Sequence, residues 1–287
     1  MNGVVVLGMH RSGTSAVTRV LHLLGAAIPS RQDLLTAYDN PDGHWESRTL
    51  VGCNDRILDA FGRSWDFPPW LAPGWEQSAA ASAMLPDLSA AFSSVYDGGL
   101  WVWKDPRTCL TLPLWRRALG DDLAVVLVHR SATAVTTSIH RRDGIPRIYS
   151  AGLWLHYLRC SLEGARGLPT VCLDFSDMQR SPEPTTTFLQ QALGSLGVGL
   201  DGDVVAAAGS IHAPGRPDHG QRGRIDALVR RVTARAAGLL AELPPVSTAF
   251  SPPALAEPSW VRPLLFAYRG PWALRARLGH PLGPRFA

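Results

Sequence analysis

Lysine is almost absent from this chain. Of its 28 basic residues one, Lys104, is lysine and the rest are arginine. A GC-rich coding bias produces such a skew without any function. The residue that survives it is then of interest, because an ammonium is a compact point charge and a guanidinium a planar fork. Charge is scarce as well: charged side chains are 18% of the 287 residues and hydrophobic ones 46%, which excludes a disordered chain and supplies a sizeable core. The net charge of +4 is too mild to point to nucleic acid. The four cysteines, Cys53, Cys109, Cys160 and Cys172, form no C-x-x-C pair. His156 and Cys160 stand four apart on an expected helix, but two ligands do not make a metal centre. Reduced, mostly buried thiols are expected. No run is long and apolar enough to span a membrane, and the start lacks the basic n-region of a secretory signal. A cytoplasmic setting is the expectation.

What is present alternates. Residues 3–7 (GVVVL) read as a β-branched strand, 8–15 as a glycine loop, and 16–24 as a helix. Residues 100–103 are a second strand, 123–128 (LAVVLV) a third, and 170–173 a fourth. A helix is expected from about Ala132, others over 152–164, 188–196 and 228–243. Continuous apolar strands between helical segments predict an α/β fold with a central parallel sheet flanked by helices. Residues 39–46 read as a loop, 64–76 as an irregular segment rich in Trp and Pro, and 211–224 as a basic loop. The expected division is one α/β domain over 1–243 and a Pro/Arg-rich extension over 244–287. The extension either packs, on the domain or on a partner subunit as a homodimer, or is a basic membrane-surface segment. Trp260, Leu264, Leu265, Phe266 and Trp272 are too many apolar groups for a free tail, which favours packing.

The loop Gly8-Met9-His10-Arg11-Ser12-Gly13-Thr14-Ser15 has the glycine spacing of a Walker A motif, with Thr14 where lysine belongs. Glycines let backbone N–H groups converge on an oxyanion, and the helix starting near Gly13 adds its dipole and free amides. Thr14 and Ser15 add hydroxyls, and Arg11 adds charge from inside the loop. The alternative is a tight strand–helix turn with incidental glycines. A P-loop ATPase or GTPase also needs an acidic residue ending a neighbouring strand to hold magnesium. The strand over 123–128 ends instead in His129-Arg130, which suits a second phosphate.

In these features the chain resembles the sulfotransferases that use 3′-phosphoadenosine 5′-phosphosulfate (PAPS). Arg11-Ser12-Gly13-Thr14-Ser15 resembles their 5′-phosphosulfate loop, in the arginine-containing form common in bacterial members. Arg130 and Ser138, eight apart after a hydrophobic strand, are similar to their 3′-phosphate pair. Trp101-Val102-Trp103-Lys104-Asp105-Pro106-Arg107 resembles the K-x-P-R stretch of the bacterial branch. Cys172-Leu173-Asp174-Phe175, Ser181-Pro182 and Phe188-Leu189 resemble a later strand-and-helix unit. The resemblance covers roughly residues 3–197, and the family's C-terminal basic-glycine signature has no clear counterpart. It implies a P-loop-like sulfotransferase fold, with PAPS as donor and 3′,5′-adenosine bisphosphate as product. No metal is expected, because a sulfonate carries less charge than a phosphate terminus and the sequence holds no ligand cluster. A small-molecule hydroxyl is the acceptor expected from the length and the lack of a secretory route. A magnesium-dependent kinase and a non-catalytic nucleotide-binding module are the alternatives.

Sulfuryl transfer builds charge on the leaving oxygen, so positioning and electrostatics should carry it. Arg11, Lys104 and the amides near Thr14 are the candidates, with Lys104 on the leaving oxygen. The acceptor hydroxyl needs a base. Glu46 stands where some members of that family place a catalytic glutamate; His44 is next. Asp105 adjoins Lys104, which should depress its pKa and weaken it as a base. Trp65, Trp70 and Trp75 are either core or lid packing or an acceptor wall. Trp154 and Tyr157 should be core, and Asp174 a local cap. His212, Arg216, Arg222 and Arg224 either close over the 3′-phosphate or form a solvated basic loop.

Overall fold

The computed structural model describes residues 1–35, 43–212 and 223–267. Arg216, Arg222 and Trp272 therefore lie outside the described residues. Four parallel strands, β1 (Gly3–Leu7), β2 (Trp101–Lys104), β3 (Ala124–His129) and β4 (Thr170–Asp174), are joined by a two-residue antiparallel β5 (Val246–Ser247), in the order β2-β1-β3-β4-β5. Val4 pairs with Val102 on one side and Ala124 on the other. The expected strands form because each is a continuous apolar run, and every residue of β1 and β2 is buried.

Twelve α-helices and one 3-10 turn (Trp75–Gln77) stand among the described residues: α1 (Thr14–Leu23), α2 (Arg48–Ala60), α3 (Ala79–Ser82), α4 (Leu85–Val95), α5 (Thr108–Leu119), α6 (Ala132–Asp143), α7 (Arg147–Gly164), α8 (Phe175–Arg180), α9 (Pro182–Ser195), α10 (Val204–Ala208), α11 (Arg224–Glu242) and α12 (Val261–Ala267). None is long and apolar enough to cross a membrane. Strand side chains alternate, so the sheet feeds two cores. Val4, Val6 and Val126 meet Val17 and Leu21 of α1 and Leu189 and Leu193 of α9. Val5, Leu7 and Trp103 meet Leu50 of α2, Leu112 and Trp115 of α5 and Leu155 and Tyr157 of α7. Trp154 and Tyr157 are core, as expected.

The chain leaves β1 towards β2 on one side and returns to β3 on the other. The carboxyl end of β1 is therefore the switch point of the sheet, where ligands of open α/β folds lie. Residues 244–267 belong to the same body: β5 extends the sheet, α12 packs on α7, and Val261 and Leu265 are fully buried.

Candidate active site

The loop after β1 is bent by residues that can bend. Gly8 has φ 154°, and a Cβ there would lie 2.5 Å from the Val128 carbonyl oxygen and 2.8 Å from a Thr14 methyl. Gly13, at φ 96°, would drive a Cβ into the Phe175 ring. Arg11 adopts φ 70°, a region costly for a side chain that is not glycine. Gly8 N–H is used by the thiol of Cys109 at 3.2 Å. Helix α1 makes its first bond from Val17 N–H to the Gly13 carbonyl at 3.2 Å, and Gly13 makes no side-chain cap. The amides of residues 13–16 precede that bond, which is how a helix start presents donors to an anion.

A cleft of about 240 Å³ opens over this loop. Arg11, Gly13, Thr14, Ser15, His44, Glu46, Lys104 and Arg130, all named from sequence, line it. His212, also named from sequence, joins them, and His10, Ala16, Arg19, Trp45, Pro106, Arg142, Phe175, Gln179 and Ser210 complete the lining. Five arginine or lysine side chains thus face one carboxylate, a balance suited to a polyanion.

Lys104 ends β2 beside the loop, where the register pairs it with Val6. Its Nζ donates to Ser15 Oγ at 3.0 Å and to Glu46 Oε1 at 2.6 Å. Ser15 Oγ donates in turn to the His44 carbonyl at 3.2 Å. Lys104 and Glu46 are 2% and 5% exposed, so the pair is almost dry. Burial opposes the Glu46 charge, yet Lys104 and then Arg107 hold its pKa below the ordinary glutamate value. A carboxylate so held is a weak base while Lys104 stays in place, which revises the expectation for Glu46. Trp45, at φ 60°, shares with Arg11 the left-handed region among the described non-glycine residues, and both line the cleft.

Asp105 corrects another expectation. Lys104 turns away from it to Glu46. Asp105 is instead buried beneath the site, accepting from Asn54 Nδ2 at 2.8 Å and from Arg107 N–H at 2.9 Å. Burial raises its pKa against the pull of Arg107. It holds the turn after β2 and does not face the cleft.

Arg130 follows β3 and lies over the Phe175 ring at 5.5 Å, donating to Gln179 Oε1 at 3.3 Å. Ser138, on α6, does not line the cleft beside it. Its Oγ accepts from Arg11 Nε at 2.9 Å. Ser138 thus orients the loop arginine, and the two residues named as a pair meet different partners. Ser12 is buried under the loop, its N–H donating to the Met9 carbonyl at 3.1 Å.

The three tryptophans form no single wall. Trp65 packs on His10 at 4.6 Å, Trp75 on Phe61 at 5.3 Å, and Trp70 on His156 at 4.3 Å. None lines the cleft. His10, Arg142 and Gln179 were missed. Nothing in their spacing marks them, although His10 lies within the loop motif itself. Burial and then Arg142 hold His10 well below the ordinary histidine pKa, and its Nε2 is buried without a hydrogen-bond partner. Asp174 caps α8, accepting from Ser176 N–H at 2.8 Å.

No protein-family model and no curated protein matches the chain. Among solved structures it is similar to the sulfotransferase domain from the curacin biosynthetic pathway, with TM-score 0.44 and 18% identity over 85% of this chain and 99% of that one. It is also similar to the sulfotransferase domain from the Synechococcus PCC 7002 olefin synthase, with TM-score 0.43 and 18% identity over 93% of this chain and 95% of that one. Similarity at this level assigns neither donor nor acceptor to this chain.

Proposed function

We propose that the chain is a sulfotransferase that moves a sulfuryl group from PAPS to a hydroxyl of a small-molecule acceptor. The observation that carries this reading is the position of Lys104. The one lysine of the sequence stands at the mouth of a phosphate loop that lacks its own, with Nζ 3.0 Å from Ser15 Oγ. There it can meet the oxygen that leaves sulfur, while the amides at the start of α1 and Arg11 hold the 5′-phosphosulfate. Arg130, at the end of β3 where a magnesium-binding acid would stand in a P-loop kinase, takes the 3′-phosphate. Phe175, beneath Arg130, offers a face to the nucleotide.

In this reading the acceptor oxygen attacks sulfur, the bridging S–O bond breaks, and the bisphosphate leaves. When Lys104 swings onto the leaving oxygen, Glu46 loses the partner that suppresses its basicity and can take the acceptor proton. Lys104 thereby couples departure of the nucleotide to activation of the nucleophile. His44, also on the cleft, is the second candidate base.

Calorimetry tests the donor. 3′,5′-Adenosine bisphosphate should bind without magnesium, and PAPS should be converted to the bisphosphate in an acceptor screen. Tight binding of ATP with magnesium, and none of the bisphosphate, would overturn the reading in favour of a kinase. Bisphosphate binding with no turnover of PAPS would leave a nucleotide-binding module.

A further inference from the structure

His156 and Cys160 stay outside the cleft just described, yet they are not idle core residues. Four apart on α7, they come together: Cys160 Sγ lies 3.7 Å from His156 Nε2. The imidazole is oriented by a third group, with Nδ1 2.6 Å from Glu257 Oε1 and Nε2 2.9 Å from the Pro69 carbonyl. Both ring nitrogens therefore face acceptors, although Arg159 Nη2 also lies 3.4 Å from Nδ1. A neutral imidazole has one N–H and cannot satisfy both, so this geometry calls for the imidazolium. Burial opposes that charge, but Cys160 and then Glu257 outweigh it, and the pKa is pushed up to about 9. Arg159 adds a second cation, donating from Nη2 to Cys160 Sγ at 3.5 Å and from Nε to Glu257 Oε1 at 2.7 Å.

The sulfur opens on a cavity. A space of about 480 Å³ lies between the segment over 69–76, α5 and α7, and Cys160 lines it. Its size suits a small organic ligand. Arg116, Arg159 and Arg166 line it with Glu76 and Glu163. Asp121 holds Arg116, and Glu163 and Glu257 hold Arg159, whereas Arg166 donates to the Pro252 carbonyl and forms no ion pair among the described residues, which leaves the cavity a cation for a ligand carboxylate. The other thiols are set apart from this chemistry. Cys109 reaches the same cavity but is fully buried, and burial pushes it up to about 12. Burial also pushes Cys172 up to about 12 and raises Cys53.

We propose that Cys160, flanked by the His156 imidazolium and Arg159, is a nucleophilic thiol site that undergoes exchange with small carboxylate-bearing disulfides in this cavity. The steps balance. Cys160 gives up its proton, its sulfur bonds to one sulfur of the ligand, and the ligand's own S–S bond breaks. The released half leaves as a thiol carrying the proton, so one disulfide replaces another with no net oxidation. The site is separate from the phosphate loop and stands whether or not the chain transfers sulfuryl groups.

The native chain is treated with dithiobis(nitrobenzoate), an aromatic disulfide with two carboxylates, and the modified residue is mapped by peptide mass spectrometry. Cys160 should react first, at least ~10-fold faster than the other three thiols and than itself in guanidinium-unfolded chain. Cystamine, a cationic disulfide with a poorer leaving thiol, is compared through its native-to-unfolded rate ratio at Cys160, which cancels the leaving group; that ratio should be smaller than for dithiobis(nitrobenzoate). His156→Gln should slow the exchange about 10-fold, since it removes the adjacent cation. Labelling of another cysteine first, or a Cys160 rate no faster than in the unfolded chain, overturns the proposal even if the variant fails to fold. A native-to-unfolded ratio for cystamine equal to or above that for dithiobis(nitrobenzoate) overturns the ligand class.

Discussion

A lysine and a glutamate held at 2.6 Å in a nearly dry site pose two separate questions, one of stability and one of chemistry. Burial makes each partner dependent on the other, and removing one leaves an uncompensated charge worth about 3 kcal/mol. Lys104→Ala should therefore destabilise the chain by about that much, with Glu46 forced to take up a proton. Glu46→Gln in the same background should recover most of the loss, because a neutral amide needs no counter-charge. Turnover should behave differently. In the proposed sulfuryl transfer, Lys104→Ala should lower the rate of PAPS conversion about 100-fold with little change in bisphosphate affinity, since the ammonium would act on charge that appears only as the bond breaks. The double variant, though refolded, should stay slow. Denaturant melts, calorimetry and a radiolabel assay separate the three quantities. Recovered turnover in the double variant would show that Lys104 serves only to neutralise Glu46.

At the scale of elements, what could be read from sequence was what is local. Strands β1 to β4 were legible because each is a short, continuous apolar run buried on both faces. Helix α2 was not, because Gly52, Asn54 and Asp55 weaken its pattern. It is started by Ser47, whose Oγ accepts from Leu50 N–H at 3.0 Å and is itself fixed by Asp33, a contact between distant segments. Helix α5 was hidden by Pro113 within it, and β5 by having only two residues. The same division holds for the site. The loop was legible because glycine spacing, strand and helix follow one another in sequence. The Lys104–Glu46 pair and the bond from Arg11 to Ser138 join residues 58 and 127 positions apart, and no spacing rule reaches them.

The second of these bonds makes α6 a brace for the loop. Arg11 pays for its left-handed backbone with a fixed direction, and Ser138 sets where the guanidinium then points. Ser138→Ala should weaken bisphosphate binding about 10-fold, the loss of one charge-assisted contact's worth of preorganisation. Stability should change by less than about 1 kcal/mol, because Ser138 is only partly buried and Arg11 can turn to water. Unchanged affinity in calorimetry would mean that the loop holds Arg11 without help from α6.

On the scale of the whole molecule, the segment after α11 closes the structure with a titratable clasp. Glu257 accepts from Trp70 Nε1 at 2.8 Å, Arg159 Nε at 2.7 Å and His156 Nδ1 at 2.6 Å, joining the end of the described chain to α7 and to the aromatic segment. Burial works against its charge, but His156 and Arg159 hold its pKa down to about 2, while that of His156 is pushed up to about 9. The signs follow. Glu257 is depressed, so its contribution is present above the ordinary glutamate value of 4.5 and is lost as pH falls towards about 2. His156 is raised, so its contribution is present below the ordinary 6.5 and is lost as pH rises through about 9. The clasp should hold fully only between those ordinary values. Measured by denaturant melts, the stability gap between the native chain and Glu257→Gln should be widest near pH 5.5 and narrow on both sides. A gap that stays constant from pH 5.5 to 9.5 would mean that His156 is neutral in the fold, and the imidazolium beside Cys160 would go with it.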